Sequence, residues 1–139
     1  MPSAPGVAHN YHILDRMYQL QSKMNVGMGL ALFKNQIALG PGDSITEMQE
    51  ADFPGYARIP LDNDFGPPAI LGNGQLQIAG KSHAFTFTAG TPQTVYGWFI
   101  RDSTDMRYSY TFPTPIQMSN GVTIYIQPLL QDWAYVTVP

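Results

Sequence analysis

The sequence has 139 residues, the usual length of one domain. Only 12% of them are charged, about half of the roughly 25% that is typical of soluble domains. Seven basic and ten acidic residues leave a net charge of −3, which disfavours nucleic acid as a partner. The absence of cysteine excludes thiol catalysis, disulfides and zinc–thiolate sites. No apolar stretch is long enough for a membrane-spanning helix, and no signal peptide is recognisable, so no membrane partner is expected.

The first 27 residues predict an arm and a helix. Residues 2–8 contain two prolines and a glycine without a regular pattern, and Asn10 is a candidate N-cap. From residue 11 to residue 24 the apolar positions recur at spacings of three and four, which predicts an amphipathic helix. We expect its apolar stripe to dock in a groove of a neighbouring chain, with packing on its own domain as the alternative. The candidate interface residues of this stripe are Ile13, Leu14, Met17, Tyr18 and Leu20.

Short alternating segments predict that residues 28–139 form a β domain. A capping box from Ser44 to Glu47 predicts one helical turn between two of these segments. Strands are predicted at residues 27–33, 56–61, 75–79, 83–88, 94–100, 106–112, 122–127 and 133–138. Their number and spacing predict a mostly β, single-domain β-sandwich or jelly-roll-like barrel with an N-terminal helix or arm.

The strongest predicted hairpin joins residues 94–100 to residues 106–112. Residues 94–100 are apolar on both faces, which is typical of a central strand. Pro113 and Pro115 are expected to end the second strand and open a loop. The aromatic residues of the hairpin are expected to form one buried cluster of Tyr96, Trp98, Tyr108, Tyr110 and Phe112.

Metal-ligating side chains are few and scattered. His9 and His12 would share a helix face, but His83 is about 70 residues away, and a zinc site needs three or four ligands. Asp62 and Asp64 resemble a fragment of a calcium loop that lacks the required glycine and distal glutamate. The sequence therefore predicts no metal and no cofactor.

Catalytic patterns are also weak. Glu47, Glu50 and Asp52 could supply a carboxylate pair for glycoside hydrolysis, but a helix cap and a turn already explain them. Arg101 and Arg107 lie among aspartates and predict a neutral turn rather than a nucleic-acid channel. No nucleophile elbow or phosphate-binding loop is present. We therefore expect no enzyme activity and no catalytic residue.

Aromatic side chains on outward faces favour an interaction surface. Tyr125, Trp133 and Tyr135 occupy such positions, and protein interfaces are enriched in tyrosine, tryptophan and methionine. A large sandwich core would explain the same residues individually. With so few charges to oppose association, we expect a homo-oligomer, with a trimer as the favoured state.

Three segments resemble a group of small virion proteins of tailed bacteriophages. These are LFKN at residues 32–35, EADFPGY at residues 50–56 and VYGWF at residues 95–99. They resemble the patterns LF-x-N, EA-x-F-x-GY and VYG-aromatic-F, which occur in that order in the family, and the similarity covers roughly residues 28–130. Members are often small β-rich domains that decorate the capsid or belong to the tail.

The resemblance implies a virion structural protein, most directly a capsid decoration or cement protein that bridges major capsid subunits. It implies the major capsid protein or another virion protein as partner, and a location on the capsid surface after assembly in the host cytoplasm. A tail or receptor-binding module is the alternative position. A carbohydrate-binding β module, with an exposed aromatic such as Trp133 stacked on a sugar, is a further alternative.

Overall fold

The helix predicted over residues 11–24 is present in the structure. In the computed structural model, α1 spans Tyr11–Met24, and Gly27 follows it with a positive φ of 72°, a conformation that glycine adopts without strain. The structure describes residues 7–9, 11–37, 45–70, 75–133 and 135–137, and it describes side chains for 15–37, 46–70 and 76–130. Asn10, Ser44 and the side chains of His9 and His12 lie outside these residues.

Strands dominate the rest of the described chain. A 3₁₀ turn at Ile45–Glu47 occupies the position of the predicted helical turn. The strands are β1 (Val7–His9), β2 (Gly29–Phe33), β3 (Ile59–Pro60), β4 (Ala69–Ile70), β5 (Gln75–Ala79), β6 (His83–Thr86), β7 (Gln93–Arg101), β8 (Met106–Met118), β9 (Thr123–Ile126), β10 (Leu129–Trp133) and β11 (Tyr135–Thr137). With 45% strand, 12% helix and antiparallel sheets, the chain is mostly β and consistent with a β-sandwich-like domain, which confirms the predicted fold class.

Backbone contacts divide the chain into two compact units. The first takes its described residues from Met1–Val26, Asn63–Ser82 and Gln127–Pro139, and the second takes them from Gly27–Asp62 and His83–Ile126. Each unit is built from segments distant in sequence. The proposed division into an arm of residues 1–27 and a β domain of residues 28–139 stays a prediction.

In the first unit, α1 is tied to the loop that begins at Asn63. The side-chain amides of Gln21 and Asn25 donate to the carbonyl of Phe65 at 3.2 and 3.0 Å, and the amide of Phe65 donates to Asn25 Oδ1 at 2.7 Å. Met17 and Met24 are buried on the same helix. Two antiparallel sheets complete the unit, in the orders β10-β5-β4 and β1-β11. The last turns of α1 therefore pack within the chain, as the alternative to a docking arm requires.

The second unit is built around an antiparallel sheet in the order β3-β2-β7-β8, accompanied by the pair β6-β9. All five residues of β2 are buried, and so are five of the nine in β7, Gly97 among them. The predicted central position of β7 is confirmed by its pairing with β2 on one side and β8 on the other.

Two strand predictions need correction. The strand predicted over residues 56–61 is limited to Ile59–Pro60, because the side chains of Tyr56 and Arg58 bind Glu50 instead of lining a sheet. The loop predicted at Pro113 and Pro115 is wrong, since β8 continues through both to Met118. An edge strand tolerates proline because it pairs on one side only, so a missing backbone N–H on its outer side breaks no hydrogen bond of the sheet.

The predicted aromatic cluster of the hairpin forms only in part. Trp98 is buried and stacks on Tyr110 with ring centroids 6.0 Å apart, and Tyr110 meets Phe112 edge-on at 6.1 Å. Tyr96 packs instead against the buried cluster that contains Phe33 and Phe99. The register of β7 on β8 shifts between Val95 and Gly97, and such a bulge changes which face a side chain occupies. Tyr110, expected inside, is 47% exposed.

Candidate functional site

The predicted interface residues have different environments. Met17 is buried with 4% exposure, so its side chain is used within the chain, whereas Tyr18 is 49% exposed and Leu20 is half-buried. Tyr125 on β9 is 75% exposed, in agreement with its predicted outward position. The remaining predicted side chains lie outside the described ones: Ile13, Leu14, Trp133 and Tyr135.

The three segments that carry the family resemblance meet in the second unit, and we name residues 32–35, 50–56 and 95–99 the motif junction. The amide of Lys34 donates to the carbonyl of Gln49 at 2.8 Å, and the amide of Ala51 donates to the carbonyl of Leu32 at 2.9 Å. Leu32 pairs with Trp98 across β2 and β7. Segments separated by up to about 60 residues in sequence thus form one hydrogen-bonded layer.

Gly97 lets the layers of the motif junction approach closely. A Cβ atom at this position would overlap the carbonyl oxygen of Tyr110 and would lie 2.6 Å from the ring of Phe33. Phe33 itself is fully buried and its ring centroid lies 6.5 Å from that of Phe99. The glycine of the VYG pattern is therefore required by packing.

Polar residues of the motif junction bind backbone. The Asn35 side chain donates to the carbonyl of Glu47 and accepts from the amide of Gln49, both at 2.9 Å. Gly55 has a φ of 92°, and a Cβ there would lie 2.7 Å from the carbonyl oxygen of Thr86. These residues fix the path of the loop after the 3₁₀ turn, which is a structural role.

Glu50 is the centre of a hydrogen-bonded triad. Its carboxylate accepts from the Tyr56 hydroxyl at 2.5 Å and from Nη2 of Arg58 at 2.7 Å, with a longer contact of 3.2 Å to Nε. The Tyr56 hydroxyl also accepts from the amide of Leu32 at 3.3 Å. Burial acts to raise the pKa of Glu50, but the hydrogen bonds from Arg58 and Tyr56 outweigh it, so that the pKa lies below its usual value. Burial and the adjacent Glu50 both raise the pKa of Tyr56.

The other acidic candidates are also engaged in structure. Asp52 accepts from Gln93 at 2.7 Å and from Lys34 at 3.0 Å, and these two contacts lower the pKa of its carboxyl group. Asp62 accepts from the amide of Gly27 at 2.9 Å, and the buried Asp64 accepts from the amide of Lys81 at 3.0 Å. Glu47 makes further contacts of its own. The geometry favours the structural explanation of these carboxylates.

Asp102 organises the turn between β7 and β8. Its carboxylate accepts from the amides of Thr104 and Asp105 at 2.8 and 2.7 Å, and from Nη2 of Arg107 at 2.6 Å. The hydrogen bonds from the amides of Thr104 and Asp105 have the largest effect on the pKa of Asp102. Together with the hydrogen bond from Arg107 they hold this pKa well below its usual range. This is the neutral turn that the sequence predicted.

A groove of about 250 Å³ lies at the end of the sheet where β2 begins. Its walls include Met28, Arg58, Pro60, Arg101 and Ser103. Gly29 lies between Pro60 and Arg101 in the sheet register. We name it the arginine groove. Sequence reasoning did not single out Arg58, because the signal, a glycine facing two arginine-bearing segments, exists only in the folded register.

Three aromatic side chains pack in a row across β7 and β8, and we name Trp98, Tyr110 and Phe112 the aromatic strip. Trp98 is buried, whereas Tyr110 presents exposed aromatic surface. Tyr110 is 47% exposed while its other face stacks on Trp98. In the described residues, no strand pairs with the outer edge of β8, because β8 ends its sheet.

The described residues contain no group of three or more histidine, cysteine, aspartate or glutamate side chains that could hold a metal ion. None of the described helices combines the length and the apolar character needed to span a bilayer. Comparisons with known protein families, with curated proteins and with solved structures find no match to the chain.

Proposed function

We propose that this protein is a structural component of a tailed-phage virion, most directly a capsid decoration or cement protein. In this role it binds across neighbouring major capsid subunits and stabilises the capsid against the pressure of the packaged genome. The mechanism is mechanical: apolar and aromatic surface buried across a seam opposes its separation, at roughly 25 cal/mol for each Å² of apolar area.

The observation that carries the proposal is the motif junction. The three segments that resemble the phage family are far apart in sequence, yet they contact one another through backbone hydrogen bonds and buried rings. Residues that together determine a packing arrangement are those that a shared fold would retain. The resemblance therefore rests on mutually dependent positions rather than on three unrelated short matches.

Two further observations support a structural rather than a catalytic role. Glu50, Asp52 and Asp102 each bind neighbouring groups of the chain, so their charges are already compensated within the fold. Tyr110 and Tyr125 present aromatic surface to solvent, and tyrosine is a residue that interfaces favour. The exposed aromatic side chains therefore favour association with another protein.

Quantitative mass spectrometry of purified particles tests this function. A decoration protein is expected at hundreds of copies per virion, in fixed ratio to the major capsid protein. A dozen copies or fewer would place the protein in the tail, the alternative position, and absence from purified particles would contradict the proposal. An electron-microscopy reconstruction of the same particles would then locate it.

A further inference from the structure

We propose that Asn120 is a site of spontaneous deamidation, at which the side-chain amide is converted to a carboxylate in the folded chain. Asn120 and Gly121 are the central residues of the turn that joins β8 to β9, which is closed by a hydrogen bond of 2.9 Å from the amide of Val122 to the carbonyl of Ser119. Both central residues are exposed to solvent. The proposal rests on this turn alone and does not depend on a role in a virion.

The reaction needs only the chain and water. The backbone nitrogen of Gly121 attacks Cγ of Asn120, and the new bond between these two atoms replaces the bond from Cγ to Nδ2. The proton of the attacking nitrogen leaves with Nδ2 as ammonia, and a five-membered succinimide ring remains. Water then opens the ring. Cleavage of the bond to Cγ gives aspartate, and cleavage of the bond to the main-chain carbonyl carbon gives isoaspartate.

Gly121 makes this attack sterically easy. A side chain on the following residue would hinder the approach of that residue's own backbone nitrogen, and glycine has none. Gly121 has a φ of 82°, and no heavy atom of the described chain lies within 4 Å of the position that a Cβ atom would take. Because this side of the turn is open, water also reaches the peptide bond that reacts.

The hydrogen bonds of the turn restrain Asn120 only weakly. Its Oδ1 accepts from the amide of Gly90 at 3.2 Å, and the amide of Gly121 donates to the carbonyl of Phe87 at 3.3 Å. Both distances lie at or beyond the long end of the usual range of about 2.7–3.2 Å. The bond to Oδ1 also stabilises the negative charge that this oxygen acquires during the attack. We therefore expect the fold to slow the reaction relative to an unfolded chain without preventing it.

The other asparagines of the described residues lack this combination. Asn25 and Asn35 each use both polar side-chain atoms in hydrogen bonds of 2.7–3.0 Å to backbone groups. A residue with a side chain follows each of them, and an aspartate follows Asn63. Asn73 also precedes a glycine, but it lies outside the described residues. Within the part of the chain that the structure describes, Asn120 is therefore the expected site.

The two products differ in their effect on the turn. Each adds one negative charge to a chain whose net charge is −3, on the exposed surface between β8 and β9. Aspartate keeps a side-chain oxygen that accepts from the amide of Gly90. Isoaspartate lengthens the main chain by one carbon and shortens the side chain. We expect isoaspartate to break the hydrogen bonds from Gly90 to residue 120 and from Val122 to Ser119.

Peptide mapping by mass spectrometry tests the site. The folded full chain is incubated at mildly alkaline pH in water labelled with oxygen-18, so that the label marks only carboxylates formed during the incubation. The chain unfolded in guanidinium chloride serves as the reference. We expect label at Asn120 in the folded chain, at a rate at least tenfold above the rates at Asn25 and Asn35. The rate should rise with pH, because the attacking nitrogen must lose its proton.

Asn120→Gln is the matched control variant. It keeps an amide and a hydrogen-bond acceptor, but its longer side chain would have to close a six-membered ring, which forms far more slowly. Ion-exchange chromatography should show acidic forms accumulating more slowly in this variant than in the wild type, with an unchanged circular dichroism spectrum. No label at Asn120 in the folded chain, or a rate no higher than at Asn25 and Asn35, would overturn the proposal. Label in the unfolded reference alone would overturn it by showing that the fold protects the residue.

Discussion

The motif junction and the outer surface of β8 lie in the same unit but use their side chains in opposite ways. In the motif junction, Phe33 is fully buried and Glu50 binds Tyr56 and Arg58. Among the described residues, no buried side-chain nitrogen or oxygen lacks a hydrogen-bond partner. On β8, Tyr110 exposes about half of its surface. The comparison teaches that the recognisable sequence pattern maintains the fold, whereas the surface that would bind a partner carries no comparable pattern.

The largest effect is expected where the two regions join. Trp98 is 8% exposed, pairs with Leu32 in the motif junction and stacks on Tyr110 of the strip. Trp98→Ala should lower the free energy of unfolding by about 3–5 kcal/mol, because it removes a large buried ring and leaves a cavity. Chemical denaturation measures this change. An unchanged midpoint would show that Trp98 does not connect the two regions.

Substitutions at Gly97 and Tyr56 should have intermediate effects. Gly97→Ala forces a methyl group against the Tyr110 carbonyl and the Phe33 ring, and overpacking of this kind costs about 1–3 kcal/mol. Tyr56→Phe removes one donor to Glu50 and one acceptor for Leu32, and the groups left unsatisfied cost about 1–3 kcal/mol. Thermal denaturation compares both with the wild type. A stable Gly97→Ala variant would mean that the glycine of the pattern is not a packing requirement.

Acid should weaken the carboxylate hydrogen bonds of the motif junction and of the turn between β7 and β8. The pKa values of Glu50, Asp52 and Asp102 are all lowered in the folded chain. Groups with a lowered folded pKa contribute stability above their unfolded pKa of about 4, and this contribution is lost as the pH falls through the folded pKa. Stability should therefore decrease progressively below about pH 4. In Glu50→Gln the decrease should be shallower, and an identical pH profile for both proteins would contradict the role of the triad.

The smallest effect on stability is expected at the exposed tyrosines. Tyr125→Ser should change the free energy of unfolding by less than about 0.5 kcal/mol, because its side chain is 75% exposed and such surface substitutions are usually neutral. If this residue belongs to an interface, the same variant should weaken self-association or particle binding. A large loss of stability would instead assign Tyr125 to the fold.

The sequence predicted the elements whose pattern is local. The helix at Tyr11–Met24 and the central strand β7 were both accessible from periodicity and from apolar residues on two faces. The extension of β8 through Pro113 and Pro115 was not, because proline is acceptable only on an edge and edge position depends on the sheet order. The exposure of Tyr110 depends on the same order.

The candidate site was less predictable, for a related reason. Glu50 and Arg58 are eight residues apart and were separately visible, but their pairing requires the strand predicted at residues 56–61 to be interrupted. The arginine groove needs Gly29, Pro60 and Arg101 in neighbouring register, which no local spacing encodes. The displacement of Tyr96 by a bulge is likewise a property of the paired strands.

Light scattering at micromolar concentration tests the central claim that the fold-forming residues and the partner-binding residues are separate sets. The account predicts a wild-type particle of about three times the 15.4 kDa chain mass. It predicts that Tyr110→Ser shifts the mass towards a single chain while the far-ultraviolet circular dichroism spectrum stays unchanged. A wild-type mass of one chain, or a Tyr110→Ser variant that loses its secondary structure, would contradict it.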